Sequence, residues 1–310
     1  MQALPIQPDT GLPAVVKDAM AYPDYPFQSR YHLVNNLRMH YLDEGDDAAE
    51  PLVMVHGNPS WSFFFRSPVL AFRQQYRCIV PDHIGMGLSD RPPEHAYAFD
   101  LASRINDLEN LLDSIGVNSG ITLVLHDWGG MIGMGYACRH PDRIKRLVIM
   151  NTAAFLLPGN ARVPWQLRLA RSPLGTFLVR GLNAFSRGAV RQCVVRRPLQ
   201  AAVRQAYLAP YDSWNNRTAV HRFIQDIPLW PGDHSYDLVR EIETGLDQFR
   251  SRPALICWGL QDFVFTQPFL QEWQRRLPAA QAHSFADAGH YLLEDAADEV
   301  IGFMRPFLAA

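Results

Sequence analysis

Five residues that can do chemistry follow the ends of predicted strands in this sequence. Asn58 follows "VMVHG", Asp127 and Trp128 follow "TLVLH", Asp262 follows "LICWGLQ" and His290 follows "AHSFADAG". Because ligands of open α/β sheets bind beyond the carboxyl ends of the strands, we expect these side chains to meet at one rim. Two carboxylates and an imidazole at such a rim suit a nucleophilic mechanism, in which one carboxylate attacks and the other orients the base.

The aspartate at position 127 narrows the reaction. A serine that attacks a saturated carbon forms an inert ether, whereas a carboxylate forms an ester that a histidine-activated water can open. Asp127 therefore predicts a saturated electrophilic carbon, bound to a halogen, in an epoxide or in the alkyl part of a strained ester. An ordinary esterase or lipase is disfavoured. The leaving anion needs donors, and the Asn58 amide and the Trp128 indole N–H can supply them.

Each of these residues also has a structural interpretation. Asp127 suits a helix N-cap, Trp128 suits an apolar filler, and Asp262 suits a cap for the turn before "PFLQEW". Asn151 ends another strand from which an acid can reach His290, but it is neutral, which favours Asp262 as the acid. Structural hydrogen bonds are predicted for four further histidines: His56, His83, His126 and His234.

Short apolar runs that alternate with helical patterns predict the elements that carry these residues. The segment "YHLVNNLRMHYLDEG" predicts a β-hairpin with Asn35 and Asn36 at its turn. Helices are predicted from Leu101 to Ile115, with Gly116 as the stop, and for "PFLQEWQRRLP" and "DAADEVIGFMRPFLA". Five wholly apolar runs are typical of parallel strands covered on both faces: "PLVMVHG", "YRCIVPD", "GITLVLHD", "IKRLVIMNT" and "PALICWG". The pattern predicts an α/β fold with a doubly wound, mostly parallel sheet.

The alternation is interrupted between Thr152 and about Thr244. Pro and Gly separate several short helical segments there: "PWQLRLARS", "LGTFLVRGLNAFS", "RRPLQAAVRQAYLAP" and "WNNRTAVHRFIQ". An insertion between two strands lies where functional loops of such sheets belong, so we predict an inserted helical lid. The predicted division is a core of residues 28–152 and 245–310, a lid of residues 153–244 and an N-terminal extension of residues 1–27.

The predicted lid has an unusual charge balance. No Asp or Glu occurs between Asp142 and Asp212, and the part of this span in the predicted lid contains nine arginines: Arg162, Arg168, Arg171, Arg180, Arg187, Arg191, Arg196, Arg197 and Arg204. One interpretation is a solvated face whose arginine stems cover apolar surface. The other is a basic amphipathic surface that contacts anionic lipid or an acidic partner protein.

Composition excludes several functional classes. The formal net charge of −2 gives no whole-chain signal for nucleic-acid binding. The N-terminal "MQALPIQPDTGLPAVVKD" has no basic and apolar regions of a secretory signal, and no apolar run approaches the roughly 18 residues of a membrane span. Four cysteines lack the spacing of a zinc site or a disulfide framework: Cys78, Cys138, Cys193 and Cys257. We predict a cytoplasmic protein without a metal or a cofactor.

Four motifs carry a resemblance to a known family. The set "HGNPSWSFFFR", "PDHIGMGLSDRP", "HDWGG" and "GHYLLED" resembles the haloalkane dehalogenase family of α/β-hydrolases, from the hairpin to the C-terminus. The order of nucleophile, acid and histidine along the chain is also that of the α/β-hydrolase triad. The family's glycine two residues before the nucleophile is absent, because Leu125 stands there. The resemblance implies an α/β-hydrolase fold and, as in the third subfamily, the following roles: Asp127 nucleophile, His290 base, Asp262 acid, and Asn58 with Trp128 as halide ligands.

The strings "NTAAFLLP", "LQDFVFT" and "GHYLLEDA" are similar to the β-lactone decarboxylases of bacterial long-chain olefin biosynthesis. This similarity implies conversion of long-chain cis-3,4-dialkyl β-lactones to cis-alkenes and CO2, a lipophilic substrate, and assembly with other olefin-biosynthesis enzymes. Haloalkane dehalogenase activity is the alternative. An epoxide hydrolase would need lid tyrosines, for which Tyr207, Tyr211 and Tyr236 are candidates, and a non-catalytic binding protein would show a broken triad.

Overall fold

A computed structural model describes residues 22–159 and 161–310 of the chain. The predicted N-terminal extension lies outside these residues except for its last part, 22–27. In the described ranges no helix combines the length and the apolar composition that crossing a bilayer requires.

A single twisted sheet organises the described residues. Its eight strands are β1 (Arg30–Val34), β2 (Leu37–Glu44), β3 (Pro51–Val55), β4 (Arg77–Pro81), β5 (Ile121–Asp127), β6 (Ile144–Thr152), β7 (Ala254–Gly259) and β8 (Gln281–Phe285). Their order across the sheet is β1-β2-β4-β3-β5-β6-β7-β8. The strand β2 pairs antiparallel with both of its neighbours, and all the other pairs are parallel. The predicted hairpin and the predicted mostly parallel sheet are confirmed.

Helices cover both faces of this sheet. Those outside the β6–β7 connection are α1 (Arg66–Phe72), α2 (Leu101–Ser114), α3 (Trp128–Arg139), α9 (Gln267–Arg276), α10 (Leu292–Asp295) and α11 (Ala297–Ala309). Alternate residues of β5 enter two different apolar cores: Leu123 and Leu125 face α2 and α3, whereas Val124 belongs to the core that contains α1 and α11 residues. Burial on both faces explains why these strands are apolar throughout.

The connection between β6 and β7 consists of helices and short turns. The helices are α4 (Trp165–Arg171), α5 (Ala184–Gln192), α6 (Ala201–Leu208), α7 (Thr218–Gln225) and α8 (Tyr236–Gly245). The prediction of one continuous helix over "LGTFLVRGLNAFS" is wrong, because a π-helical turn at Phe177–Gly181 ends before Asn183, whose φ is 53°. A left-handed residue cannot continue a right-handed helix. The division into core and lid stays a prediction.

Candidate active site

The carboxyl end of β5 places Asp127 on a sharp turn into α3. Its φ of 52° and ψ of −127° are unfavourable for a residue with a side chain, as is common where a fold holds a functional group out of a strand. The turn depends on two glycines. A Cβ on Gly129 would lie 1.9 Å from the Val55 carbonyl oxygen, and a Cβ on Gly130 would lie 2.0 Å from Thr152 Oγ1.

Hydrogen bonds hold one oxygen of the buried Asp127 carboxylate. Although Asp127 occupies the N-cap position of α3, its side chain makes no capping hydrogen bond. Instead the backbone N–H of Asn58 donates to Oδ1 at 2.6 Å, whereas Oδ2 faces His290 Nε2 at 3.6 Å. Burial raises the pKa of the Asp127 carboxyl above its usual value, and the His290 charge and the backbone N–H groups of Asn58 and Trp128 oppose this shift. The geometry leaves Oδ2 as the oxygen that can attack a ligand.

His290 lies between two carboxylates at the rim. Its Nδ1 is 2.8 Å from Asp262 Oδ2, and its Nε2 points to Asp127. Burial disfavours the imidazolium, but the charges of Asp262 and Asp127 outweigh burial and raise the pKa of His290 above its usual value. The sequence-predicted triad residues therefore converge in space.

Asp262 is held from three sides, and sequence reasoning missed one of them. Its Oδ1 accepts the backbone N–H groups of Val264 and Phe265 at 2.7 and 3.1 Å. This oxygen therefore caps the turn before "PFLQEW", as the structural interpretation of Asp262 predicted. Its Oδ2 accepts the side-chain amide of Asn151 at 2.9 Å in addition to contacting His290. Asn151, which the sequence offered only as a neutral alternative position, is thus a positioning residue for the acid.

Two side chains at the site can donate to an anion. The Trp128 indole N–H makes no hydrogen bond within the described ranges. The Asn58 amide already donates to the Val220 carbonyl at 3.1 Å, which leaves it one further N–H. The fully buried Arg104 stacks on Phe223, with its Cζ 3.4 Å from that ring's centroid and 5.9 Å from the Trp128 ring. A positive charge so close to Trp128 lowers the energy of an anion bound there.

These residues form the floor of a cavity of about 320 Å³, within the usual size range of small-molecule sites. Its walls are mostly apolar and come from the helices and turns of the β6–β7 connection, from the loop after β7 and from α9: they include Leu167, Leu178, Phe185, Ile224, Leu229, Phe263 and Phe269. No set of His, Cys, Asp or Glu side chains suited to a metal ion occurs in the part of the chain that the structure describes. The cavity can hold an apolar ligand against a single polar patch.

The three tyrosines of the predicted lid are absent from the described lining of this cavity. Tyr207 donates to Glu294 Oε1 and Tyr211 donates to the Ser60 carbonyl, and neither of them nor Tyr236 is among the described residues that line the cavity. Without an acid there to protonate an alkoxide, the epoxide hydrolase interpretation is disfavoured.

Three of the four histidines predicted to be structural are buried and hydrogen-bonded to backbone. The Nδ1 of His56 contacts the Gly57 carbonyl, the Nε2 of His83 contacts the His56 carbonyl, and the Nε2 of His126 contacts the His290 carbonyl, all at 2.8 or 2.9 Å. His234 is exposed and contacts Asp100. The predicted structural hydrogen bonds are present, and that of His126 helps to hold the backbone of His290.

Gly57 offers a test of how tightly the Asp127 carboxylate is held. A Cβ at position 57 would lie 1.9 Å from Asp127 Oδ1 and 2.3 Å from its Cβ, so Gly57→Ala must displace the carboxylate from the Asn58 N–H. We expect kcat to fall at least about 100-fold, the usual effect of misplacing a reacting group by about 1 Å. Steady-state kinetics on any substrate that the protein turns over will measure this.

The matched control is Gly302→Ala. Gly302 lies in α11, is exposed, and has open space around its Cβ position, so alanine there is expected to keep kcat and to leave thermal stability equal or slightly higher. Equal activity of Gly57→Ala and the control, both folded by circular dichroism, would contradict the geometry of the site.

Comparisons with known proteins place the chain in a family. Residues 50–297 match the model of the α/β-hydrolase fold family. A cis-3-alkyl-4-alkyloxetan-2-one decarboxylase from Shewanella oneidensis is 55% identical over 284 residues, which cover 91% of this chain and 89% of that protein. A protein of the same name from Xanthomonas campestris is 48% identical over 296 residues, which cover 93% of this chain and 98% of that protein.

A solved structure agrees with the fold. The crystal structure of a haloalkane dehalogenase from Agrobacterium tumefaciens has a TM-score of 0.80 and 21% identity, over 91% of this chain and 96% of that one. The resemblance seen in the sequence motifs is confirmed. The chain belongs to the α/β-hydrolase family and, within it, to the group of the cis-3-alkyl-4-alkyloxetan-2-one decarboxylases.

Proposed function

We propose that this protein decarboxylates long-chain cis-3,4-dialkyl β-lactones to cis-alkenes and CO2, with Asp127 as the nucleophile. The observation that carries the proposal is the Asp127 carboxylate on the floor of an apolar cavity, with Oδ1 held and Oδ2 directed to His290. The names of the relatives at 55% and 48% identity support the choice of a β-lactone. A cavity with mostly apolar walls suits a ligand with two alkyl arms.

In the first step, Asp127 Oδ2 attacks the β-carbon of the lactone ring. A carbon–oxygen bond forms to Asp127, and the ring bond from the β-carbon to oxygen breaks, which releases the substrate's carboxylate. The Trp128 indole N–H and the remaining Asn58 amide N–H are the donors for this anion, and Arg104 adds a nearby positive charge. The Asn58 backbone N–H stays on Oδ1, which becomes the ester carbonyl oxygen.

In the second step, the bond from the α-carbon to the carboxylate breaks and CO2 leaves. Its electron pair forms the carbon–carbon double bond, and the ester bond to Asp127 breaks with its pair returning to the carboxylate. No water is consumed. His290, when protonated, faces the carboxylate that is regenerated, and its charge favours that product.

The stereochemical outcome follows from these two steps. Displacement at the β-carbon inverts its configuration, and the second step is an elimination from the anti arrangement of the two leaving groups. Inversion followed by anti elimination converts a cis-dialkyl lactone into a cis-alkene. Attack on the lactone carbonyl would leave the β-carbon unchanged and would not give this product by an anti elimination.

The pH dependence should differ between decarboxylation and hydrolysis. Decarboxylation needs ionised Asp127, whose pKa is raised by burial, so its rate is expected to increase as the pH rises through a value above the usual 3.8 of aspartate. Hydrolysis of an alkyl ester also needs neutral His290, whose pKa its two carboxylate neighbours raise above the usual 6.5 despite burial. Alkene formation should therefore persist at pH values where hydrolysis is already lost. Steady-state rates of alkene formation from the lactone and of alcohol formation from a bromoalkane, from pH 5 to 9, will check this.

Product analysis tests the proposal as a whole. The protein is incubated with a cis-dialkyl β-lactone and, separately, with a long-chain bromoalkane, and alkene, CO2, β-hydroxy acid and bromide are quantified. Multiple turnovers to cis-alkene and CO2 are expected from the lactone, with slow or absent bromide release. Rapid bromide release without lactone turnover would assign the protein to haloalkane dehalogenation instead, and a trans-alkene product would refute attack at the β-carbon.

A further inference from the structure

The exposed apolar side chains of the described residues concentrate in one region. Of eleven large ones that are exposed, eight lie between positions 165 and 230: Trp165, Leu169, Leu174, Phe177, Leu182, Val195, Trp214 and Trp230. Such a concentration on an otherwise polar surface marks an interaction site.

Two of these residues connect the surface to the cavity. Trp165 and Leu169, one helical turn apart on α4, are 69% and 38% exposed and also line the cavity. They therefore lie at its mouth. Trp230 stands next to Leu229, another lining residue, and is 65% exposed. Three of the exposed apolar side chains thus lie at or next to the mouth of the cavity that holds Asp127.

The charge on the same segment is positive and largely uncompensated. Acids elsewhere in the fold pair with three of the nine arginines at positions 162–204, as in Arg171–Asp233, Arg180–Glu94 and Arg196–Glu299. The other six are exposed and pair with no acidic side chain in the described ranges: Arg162, Arg168, Arg187, Arg191, Arg197 and Arg204. Because the segment has no acid of its own between Asp142 and Asp212, the surface complements a negatively charged partner.

We propose that this surface, the exposed apolar and arginine side chains of residues 162–230 around the cavity mouth, docks the protein on anionic lipid bilayers. Tryptophan is favoured at the bilayer interface, because its ring is apolar and its N–H is polar. Arginine next to it reaches lipid phosphates while its stem covers apolar surface. Arg168 and Trp165 are so arranged, three residues apart on α4.

A bilayer fits the position of this surface better than an acidic protein does. A mouth seated in the acyl boundary lets an alkyl arm pass from lipid to the cavity without exposure to water, and this part of the argument rests on the proposed function. An acidic protein would satisfy the arginines alone and would leave the tryptophans unexplained. A bilayer offers both phosphates for the arginines and acyl chains for the exposed apolar side chains.

The test is co-sedimentation of the full chain with lipid vesicles in the absence of substrate. Vesicles of phosphatidylcholine alone are compared with vesicles that also contain about 30% phosphatidylglycerol. Both are measured at low salt and at about 0.5 M salt. The wild type is expected to bind the anionic vesicles at low salt and to release at high salt. Wild-type protein that stays in the supernatant with anionic vesicles would overturn the proposal and favour an acidic partner protein.

Charge-matched variants locate the surface. The triple change Arg168→Gln, Arg187→Gln and Arg191→Gln removes three exposed charges that do not line the cavity. Each charge contributes about fivefold to partitioning, so binding should weaken about 100-fold. The control triple changes Arg30, Arg250 and Arg305 to Gln, which alters the net charge equally on residues outside the surface, and it should bind within about twofold of wild type. Equal weakening by both triples would refute a specific surface.

Two further measurements complete the test. Phe177→Ser with Trp230→Ser is expected to reduce binding at least about tenfold without changing the charge, because both side chains are exposed and apolar. Light scattering on the wild type without lipid should give the mass of a monomer. A wild-type dimer that the triple change at Arg168, Arg187 and Arg191 dissociates would assign the surface to a second copy of the chain instead. Vesicle binding is measured without substrate, so the two proposals can fail separately. A protein that binds vesicles but makes no alkene would refute the proposed function and leave the lipid surface supported.

Discussion

The Asp127→Asn variant is expected to lose at least about 10⁴-fold in kcat for lactone decarboxylation, because the amide cannot form the ester to the β-carbon. Asparagine keeps the shape of the side chain, so it preserves the packing against Gly57 and can still accept the Asn58 N–H on its amide oxygen. The variant should therefore fold and bind substrate normally. Alkene formation is followed by gas chromatography, and binding by displacement of a fluorescent fatty ligand.

The control for this variant is Asp107→Asn. Asp107 is also a buried carboxylate, and burial raises its pKa to about 6, but it contacts Tyr97 and lies outside the residues that line the cavity. Its conversion to the amide should keep kcat within about threefold of wild type. Intact-protein mass spectrometry checks that the Asn at position 127 has not deamidated back to Asp. Turnover by an intact Asp127→Asn protein within tenfold of wild type would refute the nucleophile.

The convergence of the predicted site residues follows from the topology of parallel sheets. Asp127, Asp262 and His290 are more than 25 residues apart in sequence, yet each follows a strand end, and the carboxyl ends of parallel strands share one rim. Strand type and direction were readable from wholly apolar runs and from the helices between them. The residue types then restricted the chemistry without any knowledge of distances.

The supporting contacts were not readable, because they depend on which strands are neighbours. Asn151 reaches Asp262 since β6 and β7 pair, and Gly57 approaches Asp127 since β3 pairs with β5 across a crossover. A sequence does not state strand order. The break at Asn183 was missed for a local reason: the apolar pattern continues through it, and only its left-handed backbone ends the helical turn.

The buried position of the Arg104 side chain was also not predicted from the sequence. Arginine is usually exposed in a helix, but in "LASRINDLENL" Arg104 shares the face of Leu101 and Leu108, and its guanidinium is fully buried against Phe223. Burial lowers its pKa, and Asp226 at 3.6 Å is its nearest acid. Burying a cation costs desolvation free energy, so the presence of Arg104 there is not explained by stability alone. A positive charge beside Trp128 favours a bound anion and gives Arg104 a functional reason.

The His290→Gln variant is expected to separate the two chemistries that this site can perform. Glutamine can contact Asp262 but cannot take a proton from water, so hydrolysis of an ester on Asp127 should fall at least about 10³-fold. With a long-chain bromoalkane the variant should accumulate a covalent adduct, seen as a mass increase of one alkyl group per protein. Decarboxylation uses no water, so alkene formation from the lactone should stay within about tenfold of wild type.

The pH of the His290→Gln assay is chosen from the charges at the site. Loss of the His290 charge removes one of the influences that hold down the pKa of Asp127, so the assay is run at pH 8 to favour the ionised carboxylate. His234→Gln is the control, because His234 is exposed, lies outside the residues that line the cavity, and contacts Asp100 at 3.0 Å. A lactone-derived adduct that persists on His290→Gln after one turnover, without alkene, would show that water is needed to release the product. That result would replace decarboxylation by hydrolysis to a β-hydroxy acid as the reaction of this site.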